Sequence, residues 1–220
     1  MAAALGGRLP GPGQCIGLLG GSFNPAHAGH REISATALRR LDLDAVWWLV
    51  APQNPLKAKA GTEPLRRRLA AAEAAAHHPR IVVSALEETL GTTFTADTIA
   101  ALVRRFPRVR FVWLMGADNL LQIPHWHRWP DIFAAVAVAV FDRPTYALRA
   151  LAAPAARRFA RYRIAEETAG SLAEREPPAW VFIRQRLNAQ SSTRIRATTQ
   201  NPATPGGTRR RAAKSKRTKE

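Results

Sequence analysis

The sequence predicts an α/β layered fold built on a mostly parallel sheet. Three observations carry that reading. Short apolar runs recur along the chain, and several are continuous rather than alternating, as strands buried on both faces of a parallel sheet are. Between them lie segments with apolar residues at helical spacing. The two kinds of segment alternate, which is the pattern of successive βαβ units.

The elements follow in order. Cys15 to Leu19 is an apolar run ending at Gly20-Gly21 and is predicted as the first strand. Ala28 to Leu41 places Ile33, Ala37, Leu38 and Leu41 on one helical face. Ala45 to Val50 (AVWWLV) has the continuous character of a buried parallel strand. Pro64 to His78 is Ala- and Arg-rich and reads as a helix with proline near its first position. Ile81 to Val83 is a short strand, and Thr95 to Phe106 a helix stopped by Pro107. Val109 to Met115, Ala134 to Phe141 and Trp180 to Ile183 are three further strands. Ser192 to Ala197 reads as the start of a last helix. Pro144 to Pro178 is Ala/Arg-rich, is interrupted at Pro154 and Pro177-Pro178, and reads as a helix with loops and no catalytic content.

The length of 220 residues suits one domain with tails. Residues 1–14, rich in Gly, Pro and Ala, are expected to be flexible, and they lack the pattern of a secretory signal. One domain is expected over residues 15–200, followed by a disordered basic tail over 201–220. No apolar run is long enough for a membrane span. With one cysteine, no internal disulfide can form, and a cytoplasmic protein is expected. The formal net charge is +17, of which +6 falls between Arg209 and Glu220. Such a balance admits nucleic acid, a membrane surface or anionic small molecules. No RNA-module signature or aromatic-basic ladder accompanies it, so nucleic acid is expected to engage the tail weakly and non-specifically. The sequence sets no oligomeric state.

The segment from Gly20 to His30 (GGSFNPAHAGH) carries the functional argument. An apolar strand runs into two glycines, then a polar turn, then a helix. In open parallel sheets, ligands bind at the carboxyl ends of strands where the strand order reverses. Gly20 and Gly21 allow backbone N–H groups to approach a phosphate. His27 and His30 are three residues apart at the helix start, so both rings can face one ligand. A helix N-terminus already favours anions. Neither G-x-x-x-x-G-K-(S/T) nor G-x-G-x-x-G is present. From the residues alone, a two-histidine metal pair and a capped turn with exposed histidines stay open, although spacing suggests no third metal ligand.

This segment resembles the H-x-G-H motif of the nucleotidylyltransferase superfamily. Its longer form, G-G-(S/T)-F-(D/N)-P-x-H-x-G-H, is similar to bacterial nicotinate-mononucleotide adenylyltransferases. Asn24 stands where many members have Asp. Further matches come in family order: Pro52 to Lys57, Phe94-Thr95-x-x-Thr98, Gly116-x-Asp118, Trp126, and Ser191 to Arg196. Gln190 departs from the family in standing where an apolar residue often precedes the serine.

The resemblance implies a Rossmann-like, doubly wound, mostly parallel sheet with helices on both faces. It implies adenylyl transfer from ATP to nicotinate mononucleotide, with pyrophosphate as the second product, in NAD biosynthesis. His30 and His27 would be catalytic, with His30 the more critical. ATP would be bound by Gly20, Gly21, Ser22, Phe23, Asn24, His27, His30, Gly116, Asp118, Ser192, Thr193 and Arg196. Nicotinate mononucleotide would meet Lys57, Phe94, Thr95, Trp126 and His127, with Trp126 stacking on the pyridine ring. Mg²⁺ is expected on the ATP phosphates, with no protein metal cage. Read without the resemblance, Ser192 to Arg196 is a helix cap with a surface arginine, Trp126 is packing, and Lys57 is a solvated lysine. Two alternatives are another adenylyltransferase of the superfamily, such as one acting on pantetheine phosphate, and a non-enzymatic, basic nucleic-acid-binding protein.

Overall fold

The computed structural model describes residues 1–52, 62–143 and 146–184. Six strands form one sheet: β1 (Cys15–Gly21), β2 (Ala45–Val50), β3 (Ile81–Ser84), β4 (Arg110–Gly116), β5 (Ala137–Phe141) and β6 (Trp180–Ile183). Their spatial order is β3-β2-β1-β4-β5-β6, and every adjacent pair is parallel. The order reverses between β1 and β4. That is the topological switch point, where the carboxyl ends of two neighbouring strands diverge and leave a crevice.

The helices are α1 (Ala28–Arg40), α2 (Leu65–Ala76), α3 (Leu86–Leu90), α4 (Thr95–Arg105), α5 (Ala117–Gln122), α6 (Trp129–Ala135), α7 (Ala147–Leu151) and α8 (Pro154–Arg158). Short 3-10 turns connect them, the longest at Glu166–Glu174. Alternate strand residues enter two cores. Ile16, Leu18, Trp47, Leu49, Trp113 and Val138 face the core shared with α3 to α8. Leu19, Val46, Trp48, Val112, Leu114 and Ala139 face the core shared with α1, α2 and Glu166–Glu174. Both faces of the sheet are thus covered, as a doubly wound fold requires.

Several boundaries differ from the sequence reading. β1 runs on through Gly20 and Gly21, which pair with Leu49 and Val50, so the glycines end the strand rather than follow it. Ala134 and Ala135 belong to α6, and β5 starts at Ala137. Pro64 is the N-cap of α2, one residue before the helix. α3 and α5 were not expected. The N-terminal segment, expected to be flexible, packs in part: Leu5 is fully buried in the first core, and the Ser84 hydroxyl of edge strand β3 donates to the Ala4 carbonyl. The expected last helix at 192–197 and the tail lie outside the described residues. Among the described residues, no helix is long and apolar enough to cross a membrane.

One polar relay ties the sheet to α1. Buried Trp48 donates from Nε1 to the Ser34 hydroxyl at 2.7 Å, and that hydroxyl donates to the His30 carbonyl at 2.9 Å. Both Trp48 and Ser34 are inaccessible to solvent. Ser34→Ala leaves a buried indole N–H without its acceptor, which typically costs about 1–3 kcal/mol. Urea unfolding should show a loss in that range, while Ser34→Thr, which keeps the hydroxyl, should lose less.

Candidate active site

β1 delivers the chain to the switch point at Gly21, and the turn Ser22–Pro25 carries it to α1. A Cβ on Gly20 would collide with the indole of Trp113, so only glycine lets this strand end pass the ring. His27 is the N-cap of α1 in extended conformation (φ −149°, ψ 170°), and His30 is the third residue of the helix. The His27 backbone N–H donates to His30 Nδ1 at 3.2 Å. With Nδ1 an acceptor, the proton of the neutral His30 ring is on Nε2. The two rings lie 3.9 Å apart, centroid to centroid. Phe23 packs against His30: its ring is 4.6 Å from His30 and 5.1 Å from Trp48. The expected sharing of one face by His27 and His30 is therefore observed.

His27 is 7% exposed, and its buried Nδ1 makes no aligned hydrogen bond, although the side chain faces the His30 backbone N–H in a reciprocal capping contact. Its pKa is pushed down to about 4, first by burial and next by the positive charge of Arg143. The ring is neutral at pH 7.

Gly116, at the end of β4, is the N-cap of α5, and Asp118 sits in the first turn. Arg143, just beyond β5, holds its Nε 3.0 Å from the inner carboxylate oxygen of Asp118. That oxygen has no aligned hydrogen bond, so the contact is a charge pair rather than a directional bond. A Cβ on Gly116 would meet the Asp118 carboxylate and lie 2.7 Å from Arg143 Nε. Glycine leaves the pair room to sit against the strand end. Sequence reading missed Arg143. Its only signal was a charged residue directly after an apolar strand that neighbours the switch.

A second cluster forms at the start of α4. Phe94 is the N-cap and Thr95 the first residue. The Phe94 ring lies 4.4 Å from that of His127. Arg128, with φ 48°, ties this loop down by pairing with Asp131 at 2.6 Å and with Asp97 of α4 at 3.4 Å. Trp126 is half-buried and meets Trp113 edge to face, with centroids 6.4 Å apart. Trp113 thus touches Trp126 on one side and lies against Gly20 on the other. The end of β1 and the aromatic cluster share this one ring. Of the expected site residues, Lys57, Ser192, Thr193 and Arg196 lie outside the described residues.

Residues 18–198 match the cytidylyltransferase-like family model. A protein of Bradyrhizobium sp. (strain ORS 278) named "Probable nicotinate-nucleotide adenylyltransferase" is 56% identical over 82% of this chain and 94% of its own length. The chain belongs to the cytidylyltransferase-like family, and within it to the nicotinate-nucleotide adenylyltransferases. A member of the same name from Parvibaculum lavamentivorans is 52% identical over 84% of this chain and 92% of its own. The structure of Plasmodium falciparum nicotinic acid mononucleotide adenylyltransferase complexed with NaAD shares the fold, with a TM-score of 0.63 at 17% identity over 84% of this chain and 83% of that one. The strand and helix order read from the sequence is thus that of the family's fold.

The charge states of the site carry a pH signature. His27 has its pKa lowered from 6.5 to about 4, so the unfolded chain takes up this proton first on acidification. Its contribution is complete above about 6.5 and is lost as pH falls toward 4. Glu87, buried in α3, is pushed by burial from 4.5 up to about 7. Its contribution has the opposite sign: it is complete below 4.5 and lost as pH rises toward 7. The two offset each other in the wild type. Glu87→Gln should be more stable than wild type at pH 8 and should then lose stability on acidification from 6.5 to 4. Adding His27→Asn should flatten that fall. Urea titrations of the three proteins across this range check both signs.

Proposed function

We propose that this chain transfers the adenylyl group of ATP to nicotinate mononucleotide, forming nicotinate adenine dinucleotide and pyrophosphate, a step of NAD biosynthesis. The observation that carries the reading is the histidine pair at the start of α1, seated where β1 ends beside β4. The first turn of α1, the two imidazoles and Arg143, whose charge acts on His27 and is paired with Asp118, offer donors of a kind suited to phosphate.

In the proposed reaction, a 5′-phosphate oxygen of the mononucleotide attacks the α-phosphorus of ATP. The bond from that phosphorus to the bridging oxygen breaks, and its electron pair leaves with pyrophosphate. No side chain acts as a nucleophile. Catalysis is positioning and charge stabilisation. His30 donates from Nε2 to a phosphate oxygen. His27, neutral at pH 7, contributes a ring N–H without the desolvation cost of a buried charge. Gly20, Gly21, Ser22, Phe23 and Asn24 shape the turn around the phosphates, and Gly116 and Asp118 line the β4 side. Lys57, Ser192, Thr193 and Arg196 are assigned further phosphate contacts on the family motif. Trp126 stacks on the pyridine ring, with Phe94, Thr95 and His127 around the carboxylate. Mg²⁺ would accompany the ATP phosphates and would neutralise charge there. Among the described residues, no three His, Cys, Asp or Glu side chains group as a metal site. The single cysteine, which allows no internal disulfide, supports a cytoplasmic enzyme.

Pyrophosphate release with ATP and a panel of acceptors tests the reading. Nicotinate mononucleotide should be the best acceptor, ahead of its amide, phosphopantetheine and glycerol phosphate. A better rate with phosphopantetheine would move the chain to another acceptor class.

His30→Ala should reduce turnover by roughly 10²–10³, the usual cost of a lost transition-state donor, while the protein stays folded. Retention of a tenth of wild-type turnover would remove His30 from the mechanism. Trp126→Ala should raise KM for the mononucleotide by about tenfold, the lower part of the range for lost base stacking. KM for ATP should change much less. If the two constants rise together, Trp126 supports Trp113 and the fold rather than the acceptor.

A further inference from the structure

Arg68 lies in the first half of α2, 2% exposed. It follows Arg66 and Arg67, yet it alone of the three is buried. The helical period explains the difference: Arg68 shares a face with Leu65, Ala72 and Ala76, the face that α2 presents to the sheet. Its guanidinium donates four hydrogen bonds, all to main-chain carbonyls. Nε reaches Glu63 at 2.8 Å, Nη1 reaches Ser22 at 2.8 Å and Ala51 at 2.7 Å, and Nη2 reaches Pro52 at 2.7 Å. Among the described residues, no carboxylate pairs with it.

A buried cation with no counter-charge is a costly way to join segments. Burial accordingly pulls the Arg68 pKa below its ordinary value. The location of one acceptor shows what the clamp achieves. The Ser22 carbonyl belongs to the peptide leading into Phe23, and that peptide's orientation sets the φ of Phe23. Phe23 has φ 45°, in the left-handed region that a bulky residue seldom occupies. In that conformation its ring is buried, stacked on Trp48 and packed against His30. Three segments meet at one guanidinium: the turn after β1, the end of β2, and the entry to α2. Only a planar fork of donors serves them all at once; an ammonium has a single nitrogen.

We propose that Arg68 is a positioning residue for His30: by gripping the Ser22 carbonyl it holds Phe23 in its left-handed turn, and Phe23 in turn sets the plane and place of the His30 ring. The catalytic consequence rests on the proposed phosphate role of His30; the positioning itself does not.

The test uses full-length chain labelled with ¹⁵N-histidine. Ring-nitrogen spectra report whether His30 Nδ1 accepts and Nε2 carries the proton. Arg68→Met and Arg68→Lys are compared with wild type, and Leu172→Ala, a fully buried site in the 3-10 stretch, is the control for stability lost elsewhere. In Arg68→Met, the His30 pattern should shift toward a mixture of tautomers, and kcat should fall by roughly 10- to 100-fold, as for a misplaced catalytic group. KM for ATP should change by less than about threefold on the same view that positioning, not binding, is lost. Arg68→Lys keeps a charge and some donors, and should fall between. Leu172→Ala should lower the urea midpoint and leave the His30 pattern as in wild type. An unmoved His30 pattern in both Arg68 variants overturns the proposal, whatever turnover does. So does an equal shift in Leu172→Ala, which would make the effect one of general stability. A shifted pattern with undiminished turnover upholds the clamp and contradicts the phosphate role of His30 instead.

Discussion

The constraint on which the rest depends is that a parallel sheet must be covered on both faces while its strand order reverses once. Coverage forces α1 and α2 to one side and α3 to α8 to the other. The reversal puts β1 between β2 and β4 and leaves their carboxyl ends to diverge. The glycines and histidines of the candidate site sit at that opening. Gly20 and Gly21 end β1 there, His27 caps the helix that leaves it, and Gly116 ends β4 beside it. The close passages are met by removing Cβ atoms, at Gly20 against Trp113 and at Gly116 against the Asp118–Arg143 pair.

In the proposed reaction the site would meet its anionic substrates without being densely charged itself. His27 is held neutral by burial and by Arg143. His30 has its Nδ1 committed to the His27 backbone, which orients the remaining ring N–H. Arg143 is paired with Asp118 and so carries a partly compensated charge at the crevice. Fixed donors that need no reorganisation suit a reaction in which phosphate charge moves from one bridging oxygen to another. The aromatic cluster around Trp126 is mechanically connected to this apparatus through Trp113. The two substrate sites of the proposed reaction would share that wall.

Much of this was legible in the sequence, for identifiable reasons. Continuous apolar runs such as Ala45 to Val50 can be little other than doubly buried strands, and β2 has those very bounds. The glycine–histidine segment places its chemistry by local spacing alone. What escaped notice lacked a local signal. α3 and α5 have five and six residues, too short to show an amphipathic period. Ala134 and Ala135 are as apolar as the strand they precede, and the helix starting at Trp129 claims them. Arg68 and Arg143 look like solvated charges until tertiary structure supplies carbonyls for one and a carboxylate for the other. Leu5 had no periodic neighbours to mark it as core, yet it seals the flank of edge strand β3. Burial of a charged or isolated residue is a property of the assembled layers, and single-sequence patterning does not contain it.

The central claim is a direct displacement carried by positioning, with no covalent enzyme intermediate. The stereochemical course at phosphorus tests it most directly. ATP made chiral at the α-phosphorus by sulfur substitution would be turned over with nicotinate mononucleotide, and the configuration of the dinucleotide product determined by phosphorus NMR. A single in-line attack inverts the centre, and inversion is the result this account predicts. Retention would require two successive displacements through an adenylylated side chain, and would contradict the mechanism built on His27 and His30 as hydrogen-bond donors to the phosphates.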